Sequence, residues 1–287
     1  MREATSIDRA RRVTLRTMRG LVLVCLVAHV AAADTKSPEF LAAYKADAKA
    51  QTIARALFDD YGDIATTGAD EQMDGGYRGK IHLVPELPVG KYRQQLVWVA
   101  AAMADIDAFF SAFDKAPAYR WKQLTFQFVR SVGKRTPSAY ATGWAITHNV
   151  AGSLLTSARG VRETYFHELF HLNDFDHADW SGKTLAKDYA AIVKKCGTKP
   201  ACLEPYAPND TKVRATGTYY AFQPNNGSTV HEYAAELAVR YFKEQTEMLA
   251  HGKLTHRAFK CGPAENARAW RELVDEFFAG VDHVPAC

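Results

Sequence analysis

His167-Glu168-Leu169-Phe170-His171 is the stretch of this chain whose residue types and spacing could do chemistry. Two histidines four positions apart lie one turn from each other on one helix face, so both rings can reach a single cation. Neutral imidazole suits zinc, and a hydrolytic zinc site keeps one position open for water. Glu168 is rotated about 100° from His167 and can address that water, first as base and then as proton carrier to a leaving amine. One zinc ion per chain and metal-assisted cleavage of a protein or peptide substrate are the chemistry this spacing implies.

A third ligand is needed, and two stretches offer one. In Val230-His231-Glu232-Tyr233-Ala234-Ala235-Glu236 the apolar residues Val230, Tyr233, Ala234, Leu237, Ala238 and Tyr241 form an unbroken helical stripe. Glu232 and Glu236 sit one turn apart beside it. Like charges at that spacing cost an exposed helix a few tenths of a kcal/mol. Next to a metal they have a use: Glu232 ligates, and Glu236 accepts the outer N–H of a ligand histidine. The rival is His177, which continues the series His167, His171, Asp174, His177. That arrangement needs the chain to swing round at position 174, where Asp tolerates a left-handed backbone less well than Gly.

H-E-x-x-H followed by a helix carrying E-x-x-x-[D/E] resembles the gluzincins, the zinc peptidases related to thermolysin. Locally, with Asp174 after the first motif and Glu232-Tyr233-x-Ala235-Glu236 as the second, it is most similar to the anthrax lethal factor type of catalytic domain. The likeness covers about 20 residues. It implies an α+β, zincin-like metallopeptidase fold with the motif on the central helix. A small mixed sheet would fill an N-terminal lobe (about 34–160), and helices a C-terminal lobe (about 161–287). It also implies His167, His171 and Glu232 as ligands, Glu168 as base, Glu236 behind the ligands and Asp174 near them. Domains of that type carry an oxyanion-stabilising tyrosine shortly before the glutamate ligand. This chain has Asn225 there, with Tyr219 and Tyr220 further upstream. Either tyrosine could donate to a developing oxyanion, and His231 is a further donor candidate. A secreted binding protein that keeps zinc but does not cleave is the alternative this departure leaves open.

The elements that must position these groups follow from pattern. Helices are expected over 37–61, 91–114, 161–174, 184–195, 229–249 and 264–279, and a short β-run over 77–87. Two more β-runs, 124–132 and 140–150, are separated by Gly133-Lys134-Arg135-Thr136-Pro137-Ser138, which predicts a hairpin or a sheet edge. Gluzincins pair an extended peptide with an edge strand above the zinc helix, and residues 140–147 stand at a suitable distance from the motif. There Gly143 would admit a close backbone approach or mark a bulge.

Residues 1–33 have the order of a secretory signal peptide, with arginines, then an apolar run from Gly20 to Val30, then Ala31-Ala32-Ala33. The apolar run is shorter than the roughly 20 residues a membrane span needs, so no stable membrane anchor is expected after cleavage. Lipidation at Cys25 is disfavoured by Val24 before it. The segment carries six arginines against Glu3 and Asp8, which leaves 30 basic and 30 acidic side chains in the remainder. The basic isoelectric point thus belongs to the leader and implies no nucleic-acid partner. Cys196, Cys202, Cys261 and Cys287 remain, an even set suited to two disulfides in a secreted or periplasmic protein. Pairing Cys196–Cys202 and Cys261–Cys287 is favoured, and the C-x-x-C pairs of a tetrathiolate zinc site are absent.

Overall fold

The computed structural model describes residues 38–75, 78–213, 216–224 and 228–287. The expected leader (1–33), Tyr77 and Asn225 lie outside them. Residues 38–287 pack as one compact α+β unit. In chain order the elements are α1 (Ala48–Tyr61), β1 (Ile64–Thr67), β2 (Glu71–Asp74), β3 (Lys80–Pro85), α2 (Arg93–Ser111), β4 (Thr125–Ser131), β5 (Ala139–Thr142), β6 (Ala145–Asn149), α3 (Ala158–Asp176), α4 (Trp180–Thr184), α5 (Ala186–Cys196), α6 (Pro200–Leu203), α7 (Thr229–His251) and α8 (Ala264–Phe277).

The strands form one mixed sheet in the order β2-β3-β4-β6-β5, with β1 alongside β4. Strand β4 runs parallel to β1 and β6 and antiparallel to β3. The runs 124–132 and 140–150 thus pair in parallel, not as a hairpin, and β5 of the second run lies at the sheet edge. The second run is itself broken into the hairpin β5–β6, in register Ala139↔His148 to Thr142↔Ala145. Its two-residue turn is Gly143-Trp144, at φ +56° and +60°, the left-handed pair that matches strand twist. Gly143 therefore serves the turn, and nothing lies close to where its Cβ would be. Trp144 tolerates the strained backbone because its ring is tied down. The indole N–H donates to Asp176 Oδ2 at 3.1 Å, and the Arg120 guanidinium lies 3.9 Å over the ring.

The expected helix 37–61 is interrupted as well. A 3-10 turn over Glu39–Tyr44 precedes α1, which starts where Asp47 caps the Ala50 N–H. Strands β1 and β2 were not anticipated. Their sequences, Ile-Ala-Thr-Thr and Glu-Gln-Met-Asp, carry too little apolar alternation to announce themselves.

The core is a run of aromatic rings. Phe110 stacks on Tyr119 at 5.3 Å, Tyr119 on Phe166 at 5.2 Å, Phe166 on Phe242 at 4.5 Å, and Tyr241 on Phe278 at 4.0 Å. These stacks join α2, α3, α7 and the segment after α8. On the sheet side, Phe126 of β4 stacks on Tyr165 of α3 at 5.3 Å. Disulfides join Cys196 to Cys202 and Cys261 to Cys287, the favoured pairing. No helix among the described residues is long and apolar enough to cross a membrane.

Candidate metal centre

Helix α3 begins where the Ser157 hydroxyl accepts the Gly160 N–H, and runs unbroken to Asp176. Val161, Tyr165, Phe166, Leu169 and Phe170 are buried along it. The Phe166–Phe242 stack lays α3 against α7, so the face carrying His167 and His171 meets the face carrying Glu232 and Glu236. His167 Nε2 lies 3.1 Å from His171 Nε2 and 3.2 Å from Glu232 Oε2. His171 Nε2 is 3.8 Å from Glu232 Oε1.

These separations fit a metal. A tetrahedral zinc ion at about 2.0–2.1 Å from each donor sets neighbouring donors about 3.3 Å apart. Glu232 Oε2 is buried with no hydrogen bond of normal geometry, which is costly for a carboxylate unless a cation meets it. The donor set, two imidazole nitrogens and one carboxylate, could hold a divalent metal ion. The site's three donor residues lie within 4.8 Å of one another.

Electrostatics follow from burial between carboxylates. Burial opposes a charge on His167, but the hydrogen bonds its ring donates to Glu232 and Glu236 outweigh it and hold the ring well above the usual histidine range. Burial also raises Glu232, yet the histidines and a hydrogen bond from Tyr220 bring it down to about 2. Burial, with repulsion from His167, lowers His171 to about 4, which keeps its lone pair available. Burial pushes Glu168 up to about 7, with His167 pulling it down and Glu232 pushing it further up.

The remaining predicted residues divide. Glu236 Oε1 stands 3.2 Å from His167 Nδ1, on the side of the ring away from Glu232. Tyr220 reaches the site: its ring centre is 6.0 Å from that of His167, and it hydrogen-bonds Glu232. Tyr219 does not. It is buried, with the Lys212 ammonium 4.8 Å over its ring.

His177 is also elsewhere. Because α3 continues through position 174, six further residues carry His177 about 240° round the helix from His171. It pairs instead with Glu276 at 2.6 Å. Asp174 does not turn to the histidines either. Its Oδ1 accepts from the Ser181 N–H at 2.7 Å and its Oδ2 from the Ser181 hydroxyl at 2.6 Å, fastening α4 to α3.

No protein family, curated protein or solved structure matches the chain. The site must be read on its own geometry. Asp174, Asp179 and His231 form a second tight group, but its atoms already serve one another and Ser181, with His231 Nε2 2.5 Å from Asp179 Oδ1. One residue at the first site had no sequence signal. Asn209, in the loop after α6, donates to the Glu236 carboxylate at 3.0 Å. Pro208-Asn209-Asp210 reads as an ordinary turn, and no spacing links it to α7.

Proposed function

We propose that the chain is an exported, zinc-dependent endopeptidase of the gluzincin type, zincin-like in fold, acting on extended protein or peptide segments. The observation that carries this reading is the convergence of His167, His171 and Glu232 at zinc-like separations, with Glu168 buried beside them. Zinc bound there would supply a Lewis acid for the scissile carbonyl and lower the pKa of an attacking water. Glu168 takes the water's proton and delivers it to the leaving amine, a task suited to a carboxyl ionising near neutrality. Tyr220, hydrogen-bonded to Glu232, is the hydroxyl that would donate to the oxyanion. Glu236 fixes the ring of His167 by accepting its Nδ1–H.

Strand β5 lies at the end of the sheet order and packs against α3, which suits it to receive a substrate strand along its outer edge. Two disulfides and the leader pattern support an oxidising compartment outside the cytoplasm. The purified chain should carry about one zinc, cleave unstructured peptides, and stop when chelated. Glu168→Gln should keep the zinc and lose about 10²–10⁴ in kcat. Equal cleavage by wild type and Glu168→Gln would refute the mechanism. Zinc retention with no turnover on any peptide library would favour the non-cleaving binding protein instead.

A further inference from the structure

One loop touches Glu232 and Glu236 of α7. It leaves α7's flank at Asn209, folds back through Val213 N–H to Thr218 O (2.9 Å) and Tyr220 N–H to Thr211 O (2.8 Å), and ends at Tyr220. Asn209 meets Glu236 at one end, and Tyr220 meets Glu232 at the other. Asn209 is buried, and its amide orientation follows from its neighbours. Lys243, seven residues along α7 from Glu236, can only donate, and its Nζ lies 3.1 Å from Asn209 Oδ1. The Nδ2 hydrogens are thereby directed at Glu236, one to the backbone oxygen at 2.8 Å and one to Oε2 at 3.0 Å.

Each oxygen of Glu236 then has its own donor, His167 Nδ1 on Oε1 and Asn209 on Oε2. A histidine presents Nε2 to a cation only when Nδ1 holds the proton and an acceptor fixes the ring. Glu236 is that acceptor, and the Lys243 ammonium is the nearby charge that could draw it away. Asn209 stands between them and gives Lys243 a neutral partner.

We propose that Asn209 is a positioning residue of the metal centre. It holds Glu236 on His167, keeps Glu236 from pairing with Lys243, and anchors the loop that presents Tyr220. The proposal rests on the zinc reading above. It predicts an effect on metal affinity that packing alone would not produce, and that removing the lysine should partly reverse.

The test is the zinc dissociation constant of the purified full chain, measured by competition with a chromogenic chelator. Asn209→Ala and the nearly isosteric Asn209→Asp, which cannot donate to Glu236, should both bind zinc about 10–100-fold more weakly than wild type. Asn209→Ala combined with Lys243→Met should recover part of the loss. Should Asn209→Ala fail to fold, Asn209→Asp supplies the comparison. Wild-type binding with Asn209→Asp within twofold of it overturns the role of Asn209 and leaves the zinc reading standing. A wild-type chain that takes up no zinc overturns both.

Discussion

Asp63, immediately before β1, offers a quantitative check on how the sheet is held behind α3. Its side chain is fully buried; Oδ1 accepts the Leu124 N–H at 2.9 Å and Oδ2 has no hydrogen bond. Burial pushes the carboxyl from its ordinary 3.8 up to about 7, against the Leu124 and Gln123 amides and Lys122, which lower it. A raised carboxyl binds its proton more tightly in the folded chain, so its contribution to stability is present below pH 3.8 and is lost as pH rises to about 7. At about 1.4 kcal/mol per pKa step that loss is about 4 kcal/mol. Asp63→Asn cannot ionise. It keeps the acceptor for Leu124 but buries an amide N–H pair that costs about 1–3 kcal/mol if unpaired. The variant should therefore be less stable than wild type at pH 4 and more stable at pH 8. Urea unfolding across that range measures the difference, from which groups common to both proteins cancel. His148 is one of these: burial lowers it to about 3, so its contribution falls away as pH drops below about 6.5. A difference that moves by less than about 1 kcal/mol between pH 4 and 8 would refute the buried, proton-retaining Asp63.

The site and its supports give three further expectations. Glu232→Ala should lose stoichiometric zinc while His177→Ala keeps it, because His177 is engaged by Glu276; metal analysis of the two purified variants decides. Tyr220→Phe should retain zinc and lower kcat about 10–100-fold, the worth of an oxyanion donor less the resting bond it gives up to Glu232. An unchanged kcat would confine Tyr220 to holding Glu232. Replacing Cys261 and Cys287 by serine opens a loop of separation 26 and should cost about 3.5 kcal/mol of stability by loop entropy, read from the urea midpoint.

What the sequence made legible is what depends on a short repeat or on pair chemistry. The helix under His167 and His171 and the stripe behind Glu232 follow from spacing, and both helices are present close to their expected bounds. The four cysteines outside the leader pattern, an even set, led to the pairing observed. The failures share a cause. The hairpin at Gly143-Trp144 was hidden because its second left-handed position is a tryptophan, held there by Arg120 and Asp176 from distant segments. Tyr219 and Tyr220 could not be separated by type. Only the 3-10 turn at 220–222 decides that one ring is buried under Lys212 and the next faces the histidines. Asn209 had no pattern at all, since its partner is 27 residues away on a helix face.

The same geometry explains why such a site needs the aromatic core around it. Glu168, Glu232 and Glu236 bring three carboxyl groups together around the rings of His167 and His171, of which burial keeps His171 neutral. His167 is held charged between two of them, and Glu168 is pushed up to about 7 by its burial. Glu232 Oε2 meets the His167 ring at 3.2 Å without a hydrogen bond of normal geometry. An arrangement of this kind costs stability, because buried carboxylates without full partners are expensive. The rings of Phe110, Tyr119, Phe166 and Phe242, each removing large apolar area from water, lie directly behind it and offset that cost. A dication bound by His167, His171 and Glu232 would replace the proton on His167, leave its Nδ1–H on Glu236, and take over the charge that now faces Glu232. The unbalanced charge and the packing that tolerates it therefore argue for one metal at this position, and zinc binding should raise the unfolding temperature of the chain.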